Sequence, residues 1–260
     1  MIRGLWTAAS GMAAQQLNVD VVANNLANAN TVGFKKSRAD FQDLMYQTLS
    51  LPGASTAAGT QLPTGIQVGM GSKPMGVNRI FTQGDYNQTG NELDLAIEGR
   101  GFFKVLSNEE EVYTRAGNFK IDSEGYVCTS AGNRLQPEIT IPADTVNISI
   151  DPAGRVVASG QANTSLATFD IKLYTFTNPA GLYSMGRNLY RVTEATGEAI
   201  EGTPDSDGVG SISQGYLEMS NVNVVEEMVT MITAQRAYEV NSKAIQTADQ
   251  MLQMANNIKR

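Results

Sequence analysis

Apolar and polar positions follow one rule at the two ends of the chain and another in between. Over residues 5–28, Leu5, Ala9, Met12, Gln16, Val19, Ala23 and Leu26 recur at alternating steps of four and three. That is the spacing of a supercoiled helix seam, made shallow by its alanines and interrupted by Gln16. Over residues 222–258 a similar stripe runs through Met228, Ile232, Ala237, Asn241, Ala244, Ala248 and Met251. Small residues let helix axes approach closely, yet they bury little area, so one such pair is marginal by itself. A helical hairpin closed within the chain would give the same pattern; the shallowness favours further partners, with the ends bundling against neighbouring copies and the middle facing outward. The first helix is expected to stop in the amide cluster Asn24, Asn25, Asn28 and Asn30, with Gly33 as a firmer break, and Asn24, Asn25 and Asn28 are expected to join the subunit packing. The last is expected to be capped at Ser220 or Asn221, with Glu226 and Glu227 near its positive end.

From Val68 to Leu217 the pattern changes to short period-two runs separated by turns. Leu93, Leu95 and Ile97 alternate with Asp94, Ala96 and Glu98, and the four-residue stretches at 122–125 (DSEG), 151–154 (DPAG) and 178–181 (NPAG) have the residue preferences of type I turns. An antiparallel sheet or barrel is predicted. Residues 50–65 are low in charge and rich in Gly, Pro, Ser and Thr, which reads as an extended loop or an arm laid on a neighbour. The wider segment 46–71 is the candidate brace, anchored by Leu49, Leu51, Leu62, Ile66 and Val68, with Gly53 and Gly65 setting its backbone shape. The expected class is α+β: paired terminal helices over 1–30 and 222–260 as a coiled-coil inner domain, connecting segments at 31–75 and 202–221, and an antiparallel β-rich outer domain over 76–201.

Composition narrows the chemistry. Residues 1–40 and 222–260 hold eight Lys/Arg against six Asp/Glu, whereas 41–221 hold eleven against twenty, within a chain of net charge −7. The acidic total disfavours nucleic acid as a partner. The near-neutral, amide-rich ends can meet identical ends without like-charge cost. Lys35, Lys36 and Arg38 form the one basic cluster and are expected beside a helix C-terminus. No run of about 18 apolar residues is present, and the first twenty residues lack a continuous apolar core of signal-peptide type. The single cysteine, Cys128, reads as a small core residue. There is no histidine, so the commonest general base and metal ligand is missing and a Ser–His or Cys–His nucleophile is impossible within the chain. Asp94 and Glu98 read as a solvated strand face. Asp205, Asp207 and Gly208 do not meet the spacing of a calcium loop. No catalytic residue, metal ligand or cofactor is expected.

Two long motifs then carry a resemblance. Residues 23–41, ANNLANANTVGFKKSRADF, closely resemble the N-terminal signature of bacterial flagellar axial proteins, and residues 220–252, SNVNVVEEMVTMITAQRAYEVNSKAIQTADQML, resemble its C-terminal counterpart. Residues 93–105 (LDLAIEGRGFFKV) and 113–119 (YTRAGNF) resemble the shared core of rod and hook subunits. Within the family the single β-domain and the stretches 46–71 and 138–156 are similar to subunits of the distal rod; hook and proximal rod subunits are the alternatives. A β-barrel binding module or hydrolase with helical flanks is a remoter one. The resemblance implies a homopolymer, a hollow helical drive shaft with terminal helices inside and β-domain outside. It implies transit of the periplasm within the basal body, type III export without a cleaved signal peptide, and no membrane embedding. The implied partners are proximal rod proteins, hook protein, basal-body ring proteins and the export apparatus.

Overall fold

The computed structural model describes residues 2–52, 63–161, 164–206 and 208–258. The chain divides into two compact units, each assembled from separate stretches: 1–26 with 37–78 and 223–260, and 27–36 with 79–222. The stretches 31–75 and 202–221 therefore do not stand apart as connectors. The first is split between the units at residue 37, and the second belongs wholly to the β-rich one.

The first unit is built on two long helices, α1 (Ile2–Ala27) and α2 (Val224–Ile258). Gly11 faces Asn241, where an added Cβ would sit 3.0 Å from the amide nitrogen, and Asn25 faces Glu227 at 3.0 Å. Fourteen residues separate the two contacts on each helix, in opposite chain directions, so the pair is antiparallel and holds register over about 21 Å. Glycine at 11 leaves room for the Asn241 amide, which would have to shift by a few tenths of an ångström to admit a Cβ. The cap of α2 is Asn223, not Ser220 or Asn221: its Oδ1 accepts from the Val225 and Glu226 N–H groups at 3.0 and 3.4 Å. Two ribbons complete the unit. Strand Ser37–Asp43 pairs with Ser72–Arg79, and Tyr46–Ser50 pairs antiparallel with Ile66–Gly69. The wider segment 46–71 is thus strand-paired at its two ends, while most of the expected loop 50–65 lies outside the described residues.

The second unit is antiparallel throughout. Among the described residues its largest sheet has seven strands, in the order Tyr183–Gly186, Leu189–Arg191, Glu110–Thr114, Phe103–Ser107, Arg134–Gln136, Val127–Thr129 and Phe119–Ile121. A three-stranded sheet of Asn147–Ile150, Arg155–Ser159 and Ser165–Asp170 contributes Ile148, Ile150 and Val156 to the same core as Phe103, Val105, Val112 and Leu135. A second, aromatic cluster gathers Phe102, Tyr113, Tyr174, Phe176 and Tyr190, with edge-on contacts such as Tyr113–Phe176 at 4.9 Å. The three turn sequences each close with a hydrogen bond from the fourth residue to the first, at 2.9 Å for Gly125–Asp122, 2.8 Å for Gly154–Asp151 and 3.2 Å for Gly181–Asn178. Cys128 is buried in a strand, where burial pushes its thiol up.

The returning chain closes this unit. Ser211–Gln214 pairs with Leu95–Glu98, and Tyr216–Glu218 pairs with Tyr86–Gln88. Leu95, Ala96 and Ile97 are all buried, so the strand is covered on both faces rather than alternating. Asp94 is also buried instead of solvated. Its carboxylate accepts from Thr89 Oγ1 at 2.5 Å and Asn91 Nδ2 at 3.0 Å, which satisfies it as a turn acceptor.

Candidate assembly sites

The β-rich unit contains a buried charge cluster that ties the N-terminal motif to the returning strand Tyr216–Glu218. Residues 27–36 bring Lys35 inside, where it is 1 % exposed, and the last strand brings Glu218, also 1 % exposed. Lys35 Nζ donates to Glu218 Oε1 at 2.6 Å and to the Thr82 carbonyl at 2.7 Å. Arg115 Nε donates to Glu218 Oε2 at 2.6 Å, and the Gly84 N–H reaches Oε1 at 3.1 Å. One carboxylate thus faces two cations, and main-chain carbonyls complete the balance. Arg115 Nη2 donates to Ile97 O at 3.0 Å and Gly99 O at 2.6 Å, and Nη1 donates to Gly101 O. Gly99 and Gly101 hold φ of +108° and +150°, conformations open mainly to glycine, so the Gly-Arg-Gly turn can wrap its carbonyls around the guanidinium.

Electrostatics follow from this burial. For Glu218, burial works to raise the carboxyl, but Arg115 and Lys35 outweigh it and hold the group below the usual carboxylate range. Burial carries the Lys35 ammonium below the ordinary lysine range, with Glu218 offsetting only part of the cost. The expectation that Lys35 lies beside a helix C-terminus is therefore wrong; the residue is an internal ion-pair partner. Around it, Gly33 (φ +68°) donates its N–H to Glu218 O at 2.8 Å, and Asn221 bridges the Lys36 N–H at 2.7 Å and the Ile80 carbonyl at 2.9 Å.

In the helical unit, Asn25 plays the equivalent part. Its Oδ1 accepts from Ser37 N–H at 2.9 Å, and its Nδ2 donates to Ser37 O at 2.8 Å and Glu227 Oε2 at 3.0 Å. One amide ties the end of α1 to the first strand and to the start of α2. Asn28, in the other unit, receives the Thr31 hydroxyl at 3.2 Å, while Asn24 is exposed.

The helix faces lie one position away from the expected seam. The buried residues of α1 are Ala8, Ala14, Val21, Val22 and Asn25, with Gly11 on the same stripe. Leu5, Met12, Val19 and Leu26 are half-buried on its flank. On α2, Ala234 is buried, and Ala237, Asn241 and Ala248 are half-buried. Ala244, Met228, Ile232 and Met251 are exposed. The residues grouped as one stripe on α2 therefore occupy two faces. Val225 and Val229, missing from the expected set, are 70 % and 56 % exposed and lie with Met228 and Ile232 on one side of the helix. Their i, i+3, i+4, i+7 spacing was readable in the sequence.

The brace residues divide as well. Leu49, Leu51 and Ile66 are exposed and Val68 is half-buried on the hairpin, while Gly53 and Leu62 lie outside the described residues. Gly65 does not take positive φ. Glycine is required there because a Cβ would sit 2.6 Å from Ser50 O and 2.7 Å from Pro52 Cδ. Among the described residues no cluster of three or more His, Cys, Asp or Glu could hold a metal, and no helix is long and apolar enough to cross a membrane. Asp207 lies outside the described residues.

A helical unit formed by the two ends of the chain, a β-rich unit between them, and terminal motifs locked by buried polar groups define the class of flagellar axial subunits. Three family models match. Residues 5–35 match the flagella basal body rod protein model, 96–158 match the flagellar hook protein FlgE/F/G D1 domain, and 213–258 match the flagellar basal body rod FlgEFG protein C-terminal model. Full-length relatives narrow the class. The chain is 50 % identical over 264 residues to the flagellar basal-body rod protein FlgG of Borreliella burgdorferi, with all of both chains covered. It is 48 % identical to that of Caulobacter vibrioides, covering 99 % of this chain and 100 % of the relative. For Bacillus subtilis the identity is 40 %, with both chains covered in full. The chain belongs to the flagellar basal-body rod protein family, whose members are structural subunits of the flagellum and not enzymes.

Proposed function

We propose that the chain is the subunit of the distal rod, polymerising through its terminal helices into a hollow shaft that crosses the periplasm and carries motor torque to the hook. The observation that carries this reading is the apolar side of α2. After α1 has covered one face of that helix, Val225, Met228, Val229 and Ile232 remain between 48 % and 70 % exposed. Burial of such side chains is worth about 1 kcal/mol each at half exposure, and a chain kept as a monomer gains nothing by displaying them. Neighbouring copies are the natural cover. The predicted packing residues Leu5, Met12, Val19 and Leu26, on the flank of α1, would line the same contacts.

Segment 46–71 is the second contact, bracing adjacent copies through Leu49, Leu51 and Ile66. Proximal rod proteins below, hook protein above, surrounding ring proteins and the type III export apparatus complete the set of partners. The test is polymerisation of purified chain, read by sedimentation and cryo-electron microscopy. Wild type should form tubes, while Val229→Asp and Ile232→Asp should remain monomeric with an unchanged melting curve. Tubes of normal diameter from both variants would refute packing through this face. Deleting residues 50–64 should leave tubes that form but bend; tubes as stiff as wild type would remove the brace.

A further inference from the structure

The buried triad opens onto a cavity of about 310 Å³ within the β-rich unit. Its walls combine three cationic side chains, Lys35, Arg100 and Arg115, with the rings of Phe81, Phe102 and Phe176. Phe81 and Phe102 pack edge to face at 5.4 Å and Phe102 and Phe176 are tilted at 5.5 Å, so one side of the cavity is apolar. Donor accounting shows what the cationic side lacks. An ammonium carries three N–H donors, and Lys35 spends two, on Thr82 O and Glu218. A guanidinium carries five, and Arg115 spends four, on Glu218, Ile97, Gly99 and Gly101. Among the described residues each buried cation keeps one N–H beyond its protein partners, and buried donors are rarely left unused. Arg100, at the exposed rim, makes no ion pair among the described residues. Two positive charges remain after Glu218 is counted against Lys35 and Arg115 together with Arg100.

This patch is out of character with its surroundings. Residues 27–36 and 79–222 hold twelve Lys/Arg against nineteen Asp/Glu, while the helical unit is balanced. A cationic hollow with apolar walls in an acidic domain concentrates field lines and favours an anion. We infer that the cavity receives a carboxylate from a second copy of this chain, with Arg100 closing over it and the spare N–H groups of Lys35 and Arg115 completing its hydrogen bonds. A second copy is the occupant favoured by charge, because the same acidic unit supplies the ligand. Among the described residues Asp144, Glu194 and Glu198 are exposed carboxylates without an ion pair. The inference rests on the polymer reading above and adds a polar lock in the outer unit to the apolar contact of the helices.

Two measurements test it. In the monomer, acetate is titrated while the Nε–Hε signals of Arg100 and Arg115 are followed by NMR; saturable shifts at both are expected, and Arg100→Gln should weaken them. In assembly, Arg100→Glu should raise the critical concentration for tubes about tenfold or more. Arg100→Lys should restore most of it, and the charge reversal Arg155→Glu on the exposed surface should have little effect. Acetate shifts with unaltered assembly of Arg100→Glu would overturn the second copy as occupant and leave a small-anion site. No shifts and no assembly defect would overturn the anion site altogether. Wild-type chain that never forms tubes would refute the polymer reading and with it the second-copy occupant, an outcome distinct from tubes that ignore Arg100.

Discussion

Replacing Glu218 with glutamine keeps the shape of the side chain and removes the only negative charge in the buried triad. Lys35 and Arg115 would then face each other, both under 10 % exposed, with no counter-ion in contact. Removing one partner of a buried pair costs about 3–5 kcal/mol, because the orphaned charge keeps its desolvation penalty. Here two cations are orphaned by one change, while the carbonyls of Thr82, Ile97, Gly99 and Gly101 stay in place and soften the loss. We therefore expect about 4 kcal/mol, a drop of about 1.3–2 M in the urea midpoint at a slope of about 2–3 kcal/mol per M. Lys35→Met is the informative companion. It removes a charge whose burial is already costly and leaves Glu218 paired with Arg115, so it should cost clearly less than Glu218→Gln.

The acid limb gives an independent reading. Glu218 titrates below its ordinary value of 4.5 in the folded chain. A depressed carboxyl contributes stability that is fully present above the unfolded value and is lost as pH falls through the folded one. Wild type should therefore lose stability below pH 4.5 more steeply than Glu218→Gln, and the two curves should converge in acid. Urea melts of the purified monomer at several pH values, followed by near-ultraviolet circular dichroism of the aromatic cluster, would measure both effects. A loss under 1 kcal/mol at neutral pH, or parallel acid profiles, would show that the triad does not hold this unit together.

Gly33→Ala should destabilise the β-rich unit by about 2 kcal/mol or more, since the site has φ +68° and its Cβ would fall 2.6 Å from the Ala116 nitrogen; thermal unfolding measures it. Asn25→Ala removes three hydrogen bonds and strands Ser37 N–H, so hydrogen exchange at the end of α1 should speed by the equivalent of about 2–3 kcal/mol. In wild-type monomer the first half of α1, which buries only Ala8 and Ala14, should exchange faster than Val21–Asn25; uniform strong protection would contradict this. Gly65→Val should open the hairpin by collision with Ser50 O and Pro52, and cryo-electron images of polymer would then show bent shafts.

The two families of feature differ in how far they could be read from sequence, and the difference is physical. The helices, the strand-rich middle and the three turns rest on local preference: 3.6- and 2-residue periods, and Asp, Pro and Gly at fixed turn positions. Those preferences act within a few residues, so the chain displays them in order. The helix faces are harder, because α1 carries small or apolar residues on two neighbouring stripes, Leu5–Met12–Val19–Leu26 and Ala8–Gly11–Ala14–Val21. One position on a helix is about 100° of rotation. Periodicity detects both stripes alike; which one meets α2 depends on the closer approach that Gly11 permits against Asn241, a property of the partner. The charge cluster is harder still. Lys35 sits beside Lys36 and Arg38 in a run that has every local sign of a solvated surface, and it turns inward only because Glu218 lies 183 residues away. A buried ion pair has no periodicity, since its energy comes from the partner and from the water it excludes. The same reasoning sets apart the faces left uncovered on α2. Their amphipathic spacing is legible, but the identity of what covers them is written on another copy, and only assembly can supply it.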